Sequence, residues 1–247
     1  HGLHVDLVRA PEQLDAVLRA VGHNQLLSLG VIDGRNIWRA DLNALFERIA
    51  PIANTRDLIL APSCALLHTP IDLELEKEFD PEVKQWLAFA VQKVEELAAL
   101  AKGLNEGLGS VSDAFSRSRA AVESRKTSAS IHAPAVAART GAIDAAMTSR
   151  VAPFEARKVA QQARLGLPSF PTTTIGSFPQ TPEIRKARAA YIRGEIDAAT
   201  YDNYLKTETK AAIKWQEHIG LDVLVHGEFE RNDMVQYFGE QLAGFAF

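Results

Sequence analysis

Residues 171–181 read Pro-Thr-Thr-Thr-Ile-Gly-Ser-Phe-Pro-Gln-Thr, a β-favouring run that stops at Gly176-Ser177. Threonine and isoleucine favour strands, and a Gly-Ser pair is typical of the turn that follows a strand. Further along the chain, the apolar run of residues 221–225 leads into His226, Gly227 and Glu228 in the same manner. Ligands of parallel α/β proteins bind at the carboxyl ends of strands. The ends of the two predicted strands, at residues 172–175 and 222–226, therefore form the predicted functional site.

Alternating strand and helix patterns predict an α/β fold. Three short apolar runs are each followed by helical periodicity, at residues 3–8, 26–31 and 58–61. Four residues with the chemistry of a helix cap precede helical patterns: Asp41, Asp80, Thr181 and Asp197. The helix after Asp80 is expected to run unbroken to Gly103 or Gly107. Three strand–helix units are fewer than a closed eight-stranded barrel needs, so a smaller fold or part of a barrel is expected.

Composition excludes several classes of protein. The 247 residues are 47% hydrophobic and 23% charged, with a net charge of −4. The apolar runs are too short to span a bilayer, and we expect no membrane association and a cytoplasmic location. A single cysteine, Cys64, excludes an intrachain disulfide framework and a multi-cysteine zinc site made by this sequence alone.

The middle of the chain is basic. Residues 111–169 hold nine Lys or Arg against four Asp or Glu, and they are rich in alanine and serine. Helices are predicted around residues 112–124, 133–146 and 152–165. Nucleic-acid binding is the sharper interpretation of this charge, but the segment has no aromatic interleaving and no known motif. A solvated helical connector is the preferred interpretation, with no nucleic-acid partner.

The two strand ends carry groups that suit a free amino acid. Gly176 allows a ligand to approach the backbone, and Ser177 adds a hydroxyl group and a nearby N–H donor. Glu228 could accept charge-assisted hydrogen bonds from an ammonium group. The spacing alone leaves another interpretation open, in which Gly-Ser is a simple turn and Glu228 caps the surface.

Other polar residues near Glu228 are weaker candidates. His226 is expected to be a hydrogen-bonded structural residue rather than a metal ligand or a general acid. Glu228, Glu230 and Asp233 could form a divalent-metal cluster, but they have no histidine partner in a fixed spacing. Arg231 and Asp233 are predicted to orient the loop around Glu228.

The first part of the chain holds two further candidates. Cys64 and His68 are spaced like metal ligands, but zinc usually takes three or four such groups, so a buried structural Cys64 is expected. The strand-end loop at residues 33–36 is followed by Arg39. Arg35 and Arg39 could bind an anionic ligand, although a salt-bridged turn is the preferred interpretation.

Two long segments resemble the cobalamin-independent methionine synthase family: TTTIGSFPQT and LDVLVHGEFERNDMVQYFGE. The likeness continues through HGLHVDLVRAP, LSLGVIDGRNIWRADL and LAPSCALLHTPIDL. It implies parts of two (β/α)8 TIM-type barrels joined by a helical connector. Residues 1–110 would be the C-terminal part of the amino-terminal barrel, 111–169 the connector, and 170–247 the start of the catalytic barrel.

The resemblance implies a function and its residues. Enzymes of this family use Zn²⁺ and no cobalamin to transfer a methyl group from 5-methyltetrahydrofolate polyglutamate to homocysteine, giving methionine. Ile175, Gly176, Ser177 and Glu228 match the homocysteine-binding positions. The family's zinc ligands and catalytic histidine match positions beyond Phe247, and its folate-binding residues match positions before His1. No catalytic residue and no metal ligand is therefore assigned in this sequence, and residues 1–247 alone are expected to be inactive without the remaining parts of the enzyme.

Two alternatives remain at this stage. One is another zinc-dependent thiol methyltransferase with the same barrel, such as the coenzyme M or uroporphyrinogen decarboxylase-like relatives. The other is a non-catalytic amino-acid-binding or scaffold protein that uses Gly176, Ser177 and Glu228 without turnover. The sequence beyond Phe247 would separate these alternatives from the synthase.

Overall fold

The computed structural model describes residues 2–22 and 24–246. The chain divides into two compact units, which we call unit 1 (residues 1–137) and unit 2 (residues 138–245). The predicted three-part division at residues 110 and 169 stays a prediction. No helix in the described part of the chain combines the length and the apolar character that a bilayer crossing requires.

Unit 1 contains a parallel three-stranded sheet in the order β1-β2-β3, which confirms the three predicted strands and the mixed α/β class. The strands are β1 Gly2–Asp6, β2 Leu26–Ile32 and β3 Leu58–Pro62. In the central strand, Leu27, Leu29 and Ile32 are fully buried. Each such side chain stabilises the fold by roughly 1.5–3 kcal/mol.

Five helices follow or flank this sheet in the first part of the chain. They are α1 Leu14–Ala20, α2 Leu42–Ala53, α3 Pro81–Gln85, α4 Ala90–Glu106 and α5 Ser112–Thr127. Short 3₁₀ turns lie at Pro11–Gln13, Leu66–His68, Leu73–Leu75 and Leu108–Val111. Asp41 caps α2 by accepting a hydrogen bond from the Ala44 N–H at 3.0 Å, as predicted.

The predicted single helix after Asp80 is wrong, because residues 86–89 interrupt it between α3 and α4. These four residues are buried, and Leu87 pairs in an antiparallel bridge with Trp38. The Ala88 N–H donates to the Ile37 carbonyl, and the Arg39 N–H donates to the Trp86 carbonyl, both at 2.8 Å. Four consecutive apolar residues cannot all face the core from a helix, whereas the irregular segment at residues 86–89 buries all four.

The basic middle of the chain is helical, as predicted. Its helices are α5 Ser112–Thr127, α6 Pro134–Gly141 and α7 Phe154–Leu165. In α5, Phe115 is buried and meets the Phe46 ring edge-to-face at 5.9 Å, so this helix completes the core of unit 1. By contrast, α7 buries no residue.

Unit 2 is built on α8 Pro182–Ile192, α9 Ala198–Ile219 and α10 Met234–Glu240. Thr181 and Asp197 cap α8 and α9 as predicted, accepting from the N–H groups of Ile184 and Thr200. The core of this unit consists of Ile184, Ala212 and Phe229, with Phe178, Tyr204 and Leu205 against them.

The strands predicted at residues 172–175 and 222–226 are not formed. The two segments lie side by side, joined by a parallel bridge between Ser177 and Gly227 and by a 3.0 Å hydrogen bond from the Val223 N–H to the Thr172 carbonyl. Two strands without further neighbours are marginal, which explains why their β-favouring sequence does not produce a regular sheet here.

Candidate functional site

The two predicted strand ends meet in unit 2. The Phe178 N–H donates to the Gly227 carbonyl at 2.9 Å, beside the Ser177–Gly227 bridge. At the opposite end of the same segments, the Asp222 carboxylate accepts hydrogen bonds from both the N–H and the hydroxyl of Thr172 at 2.8 Å. These contacts hold the Gly-Ser loop next to Glu228.

Glu228 lies against Gly176 in a way that requires a glycine at that position. A Cβ atom on residue 176 would lie 2.8 Å from the Oε1 atom of Glu228, well inside van der Waals contact. Gly176 also has a φ of 132°, which side chains rarely adopt. The carboxylate therefore reaches the backbone of the loop because that residue has no side chain.

Glu228 has a strained backbone, with a φ of 60° in the left-handed region. For a residue with a side chain this conformation costs about 1–2 kcal/mol. Such strain is typical of functional positions, where the surrounding structure compensates for it. The strained conformation turns the carboxylate toward Gly176, which fits a binding role for this side chain.

Arg231 pairs with the Glu228 carboxylate. Its Nη2 atom lies 2.6 Å from Glu228 Oε1, and its Nη1 atom lies 2.5 Å from Glu230 Oε1. The side chains of Arg231 and Glu228 are 14% and 25% exposed. Among the described residues, the second oxygen of Glu228 has no hydrogen-bond partner. One oxygen is thus fixed by Arg231, and the other can accept from a ligand.

The loop residues named from the sequence are accessible. Ser177 is exposed, and Ile175 is 96% exposed. Beside Ser177 lies a largely apolar cavity of about 580 Å³, with walls that include Phe178, Trp215 and Phe229. An amino acid at this loop would find polar groups for its charged end and apolar surface nearby.

Two supporting residues were missed by the sequence analysis. Gln180 donates to the carbonyls of Glu228 and Arg231 at 3.3 Å, and Arg188 of α8 donates to the Phe229 carbonyl at 2.8 Å. Arg188 also binds the Gln180 side chain at 2.6 Å. The available signal was an arginine one helical turn after the core residue Ile184, on the same face of α8.

His226 contacts a carboxylate rather than standing alone. Its Nε2 atom lies 3.3 Å from Glu230 Oε1, and its side chain is half-exposed. Burial opposes the ionisation of Glu230, but hydrogen bonds from its own backbone and from His226, together with the Arg231 charge, outweigh it and lower the pKa of Glu230. Glu230 is therefore an ionised partner for both His226 and Arg231.

The carboxylates near Glu228 are engaged in other contacts. Asp233 accepts from the Gln236 N–H at 2.8 Å and caps α10, while Arg231 holds Glu228 and Glu230. The Arg231 contact fits the prediction that this residue orients the loop around Glu228, whereas the contact of Asp233 is the cap of α10. Within the described residues, no three His, Cys, Asp or Glu side chains are grouped as metal ligands would be.

Cys64 is partly exposed rather than buried as predicted. Its Sγ atom lies 3.6 Å from the Ala65 carbonyl oxygen, a weak contact for a thiol. The loop at Gly34 passes so close that a Cβ there would lie 3.0 Å from this sulfur. The donors Cys64 and His68 do not amount to a zinc site.

Comparison with known proteins identifies the family models and the relatives that this chain matches. The family model described as "Cobalamin-independent synthase, Catalytic domain" matches residues 170–247, and the model for the N-terminal domain of the same synthase matches residues 1–57. Proteins named 5-methyltetrahydropteroyltriglutamate–homocysteine methyltransferase are 61% identical in Caulobacter vibrioides, 57% in Mesorhizobium japonicum and 55% in Nitrobacter winogradskyi. Each match covers 100% of this chain and 32% of the relative, so the chain spans about a third of the length of these relatives. The chain belongs to the cobalamin-independent synthase family.

Proposed function

We propose that this chain is part of a methyltransferase that converts homocysteine to methionine with 5-methyltetrahydrofolate polyglutamate as methyl donor and without cobalamin. In this proposal, Ile175, Gly176, Ser177 and Glu228 bind homocysteine. The names of the relatives support the reaction. The observation that carries the site is the Glu228 carboxylate lying against Gly176, with one oxygen held by Arg231.

The residues of the site would divide the charged groups of the substrate between them. The free oxygen of Glu228 accepts from the ammonium group, in a charge-assisted hydrogen bond. The Ser177 hydroxyl and the exposed N–H groups of its loop donate to the carboxylate. The ion pair of Arg231 with Glu228 has no net charge. Glu230 adds a negative charge, which favours binding of the ammonium group of the substrate.

Zinc does not fit the donors that the described residues provide. Cys64 has only His68 near it in sequence, and the carboxylates around Glu228 are engaged by Arg231 and by a helix cap. We place the zinc ligands and the catalytic histidine in parts of the enzyme outside this sequence. The described residues contribute binding and orientation of the amino acid.

The fold of the whole enzyme belongs to the same proposal. We infer two (β/α)8 barrels, with residues 1–110 in the first, 111–169 as connector and 170–247 in the second. The parallel sheet β1-β2-β3 supports the first barrel, since its strands alternate with helices as barrel strands do. We also expect the enzyme to work in the cytoplasm, as its composition predicts.

Calorimetry on zinc-loaded full-length variants tests the site. Glu228→Gln removes a charged acceptor and should weaken homocysteine binding by about 1.5–3 kcal/mol, whereas Ser177→Ala removes a neutral donor and should cost roughly 0.5–1.5 kcal/mol. Folate affinity should hardly change. Glu195→Gln is the matched control, because Glu195 forms an exposed ion pair with Arg193 at 2.6 Å. Equal losses for Glu228→Gln and Ser177→Ala, or a loss confined to folate, would mean that the wrong ligand has been assigned.

A second measurement separates the synthase from an amino-acid-binding module. A polypeptide of residues 1–247 alone is expected to show no methyl transfer and to retain no stoichiometric zinc after dialysis. Turnover by this polypeptide, free of full-length enzyme, would contradict the assignment of the zinc ligands. If full-length Glu228→Gln lost homocysteine binding but the full-length wild type had no turnover, the binding-module alternative would be favoured.

A further inference from the structure

A second strand-end cavity lies in unit 1, and none of the residues assigned to homocysteine lines it. It has a volume of about 410 Å³ and opens where β1 and β2 end, with Val31 and Asp33 of the β2 end on its wall. Asn36, Trp38, Lys93 and Arg125 also line it. Carboxyl ends of parallel strands are where α/β proteins bind ligands, so the position itself favours a site.

Lys93 brings a buried ammonium group to this cavity. The residue is 1% exposed, and its Nζ donates to the Asn36 side-chain oxygen at 3.3 Å and to the Trp38 carbonyl at 3.2 Å. An ammonium group has three donors, so one remains for a ligand. Both existing bonds are long and made to neutral oxygens, while the carboxylates of Glu96 and Asp33 favour the charged form of the ammonium electrostatically.

Arg125 presents a guanidinium group that no described residue binds. Its Cζ atom lies 3.8 Å from the centre of the Trp38 ring, in a cation–π contact that holds the planar group in place. No hydrogen bond or ion pair to its five N–H donors is found in the described part of the chain. A guanidinium fixed on an aromatic ring and free at its edges matches the two oxygens of a carboxylate or phosphate.

The other charged groups of the cavity are already engaged. Asp33 accepts from the Arg35 N–H at 2.8 Å and from the Asn36 side chain at 2.7 Å, and Asp41 caps α2. Arg39, which the sequence analysis considered for an anion, donates instead to the carbonyls of Gln85 and Leu87. The charged donors with unused N–H groups at the cavity therefore belong to Lys93 and Arg125.

We propose that this cavity binds a small oxyanion group, a phosphate or a carboxylate, between the Lys93 ammonium and the Arg125 guanidinium. Trp38 orients the arginine, and the Asn36 loop orients the lysine. The site uses no residue of unit 2 and shares no residue with the homocysteine site.

Anion titration of the full-length enzyme tests the site, with inorganic phosphate and acetate as probes. Binding is followed by calorimetry and by the part of the tryptophan fluorescence that Trp38→Phe removes. We expect one saturable event that changes the Trp38 signal, and the tighter of the two probes identifies the oxyanion class. Arg125→Met should weaken this event about tenfold or more, because a charge-assisted hydrogen bond is lost.

Arg119→Met is the matched control on the same helix. Arg119 is exposed and donates to the Asn43 side chain at 2.7 Å, so its loss removes equal charge from α5 without touching the cavity. Lys93→Met provides a second variant and should weaken the same event. The proposal is overturned if neither probe produces a saturable Trp38-dependent signal, or if Arg125→Met and Arg119→Met titrate alike. Homocysteine binding should be unchanged in Arg125→Met, so this result is independent of the Glu228 assignment.

Discussion

Both units contain β-favouring segments, but these segments are paired to different extents in unit 1 and unit 2. In unit 1, β2 is paired along its length with β1 and β3, and the charged residues Lys93 and Glu96 lie buried in the interior. In unit 2, the β-favouring segments meet at one bridge, and Glu228 remains partly accessible. A fully paired strand satisfies its own backbone, whereas a segment paired at one point depends on side chains and leaves its end open to a ligand. The contrast predicts where each unit is sensitive to pH and to substitution.

The largest expected effect concerns the buried charge of unit 1. Burial raises the pKa of Glu96 to about 7, even though the Ala40 N–H, Lys93 and Arg39 act in the opposite direction. Because the folded state keeps this proton between pH 4.5 and about 7 while the unfolded state releases it, stability should fall as pH rises through that window. At about 1.4 kcal/mol for each pKa unit, the loss is at most roughly 3–4 kcal/mol.

Thermal unfolding of full-length variants between pH 4.5 and 8 measures this effect. Glu96→Gln should remove the pH-dependent part, since glutamine keeps an acceptor for the Ala40 N–H and does not ionise. Glu106→Gln is the control, because Glu106 is an exposed carboxylate on the same helix α4. If both variants kept the same pH dependence as the wild type, Glu96 would not be a buried titrating group.

The second prediction tests whether the absence of a side chain at residue 176 is what leaves the site of unit 2 open to a ligand. Gly176→Ala places a Cβ 2.8 Å from Glu228 Oε1, so the carboxylate must move. Homocysteine binding should weaken by roughly 1.5–3 kcal/mol, as for loss of a charged hydrogen bond. Gly194→Ala is a sharp control, since Gly194 also has a positive φ, at 70°, but a Cβ there meets nothing within 4 Å. Both variants should lose some stability from backbone strain, and calorimetry should show that Gly176→Ala alone loses homocysteine.

Structural features that depend on neighbouring residues in the chain were predicted from the sequence. The caps at Thr181 and Asp197 were found because a cap side chain binds an N–H two or three residues on. The meeting of Gly176 with Glu228 was also predicted, from strand-end logic. The site assignment itself rests on the family resemblance and stays a prediction.

Other contacts between distant parts of the chain were not predictable. The break at residues 86–89 depends on pairing with Ile37 and Arg39, which lie about fifty residues earlier in the printed sequence. The Arg188 contact with the Phe229 carbonyl spans 41 residues, and the position of Arg188 on the buried face of α8 does not identify that partner. Strand formation at residues 172–175 failed for the same reason, because a strand requires partners that the segment itself does not specify.

The smallest expected effect concerns the way unit 2 replaces a neighbouring strand with a side chain. Gln216 of α9 is fully buried, and its amide accepts from the Val225 N–H at 2.9 Å and donates to the Val225 carbonyl at 2.7 Å. Val225 is only partly buried, so water can satisfy part of its backbone when Gln216→Leu removes these bonds. We therefore expect a local loss of about 1 kcal/mol rather than unfolding.

Amide hydrogen exchange in the full-length enzyme should be faster at Val225 and unchanged at Leu29 of the fully paired β2. Gln162→Leu, at an exposed position of α7, should leave both amides unaffected. Equal protection of Val225 in wild type and Gln216→Leu would show that the segment is held by strand pairing after all, and the contrast between the two units would then be smaller than the static structure suggests.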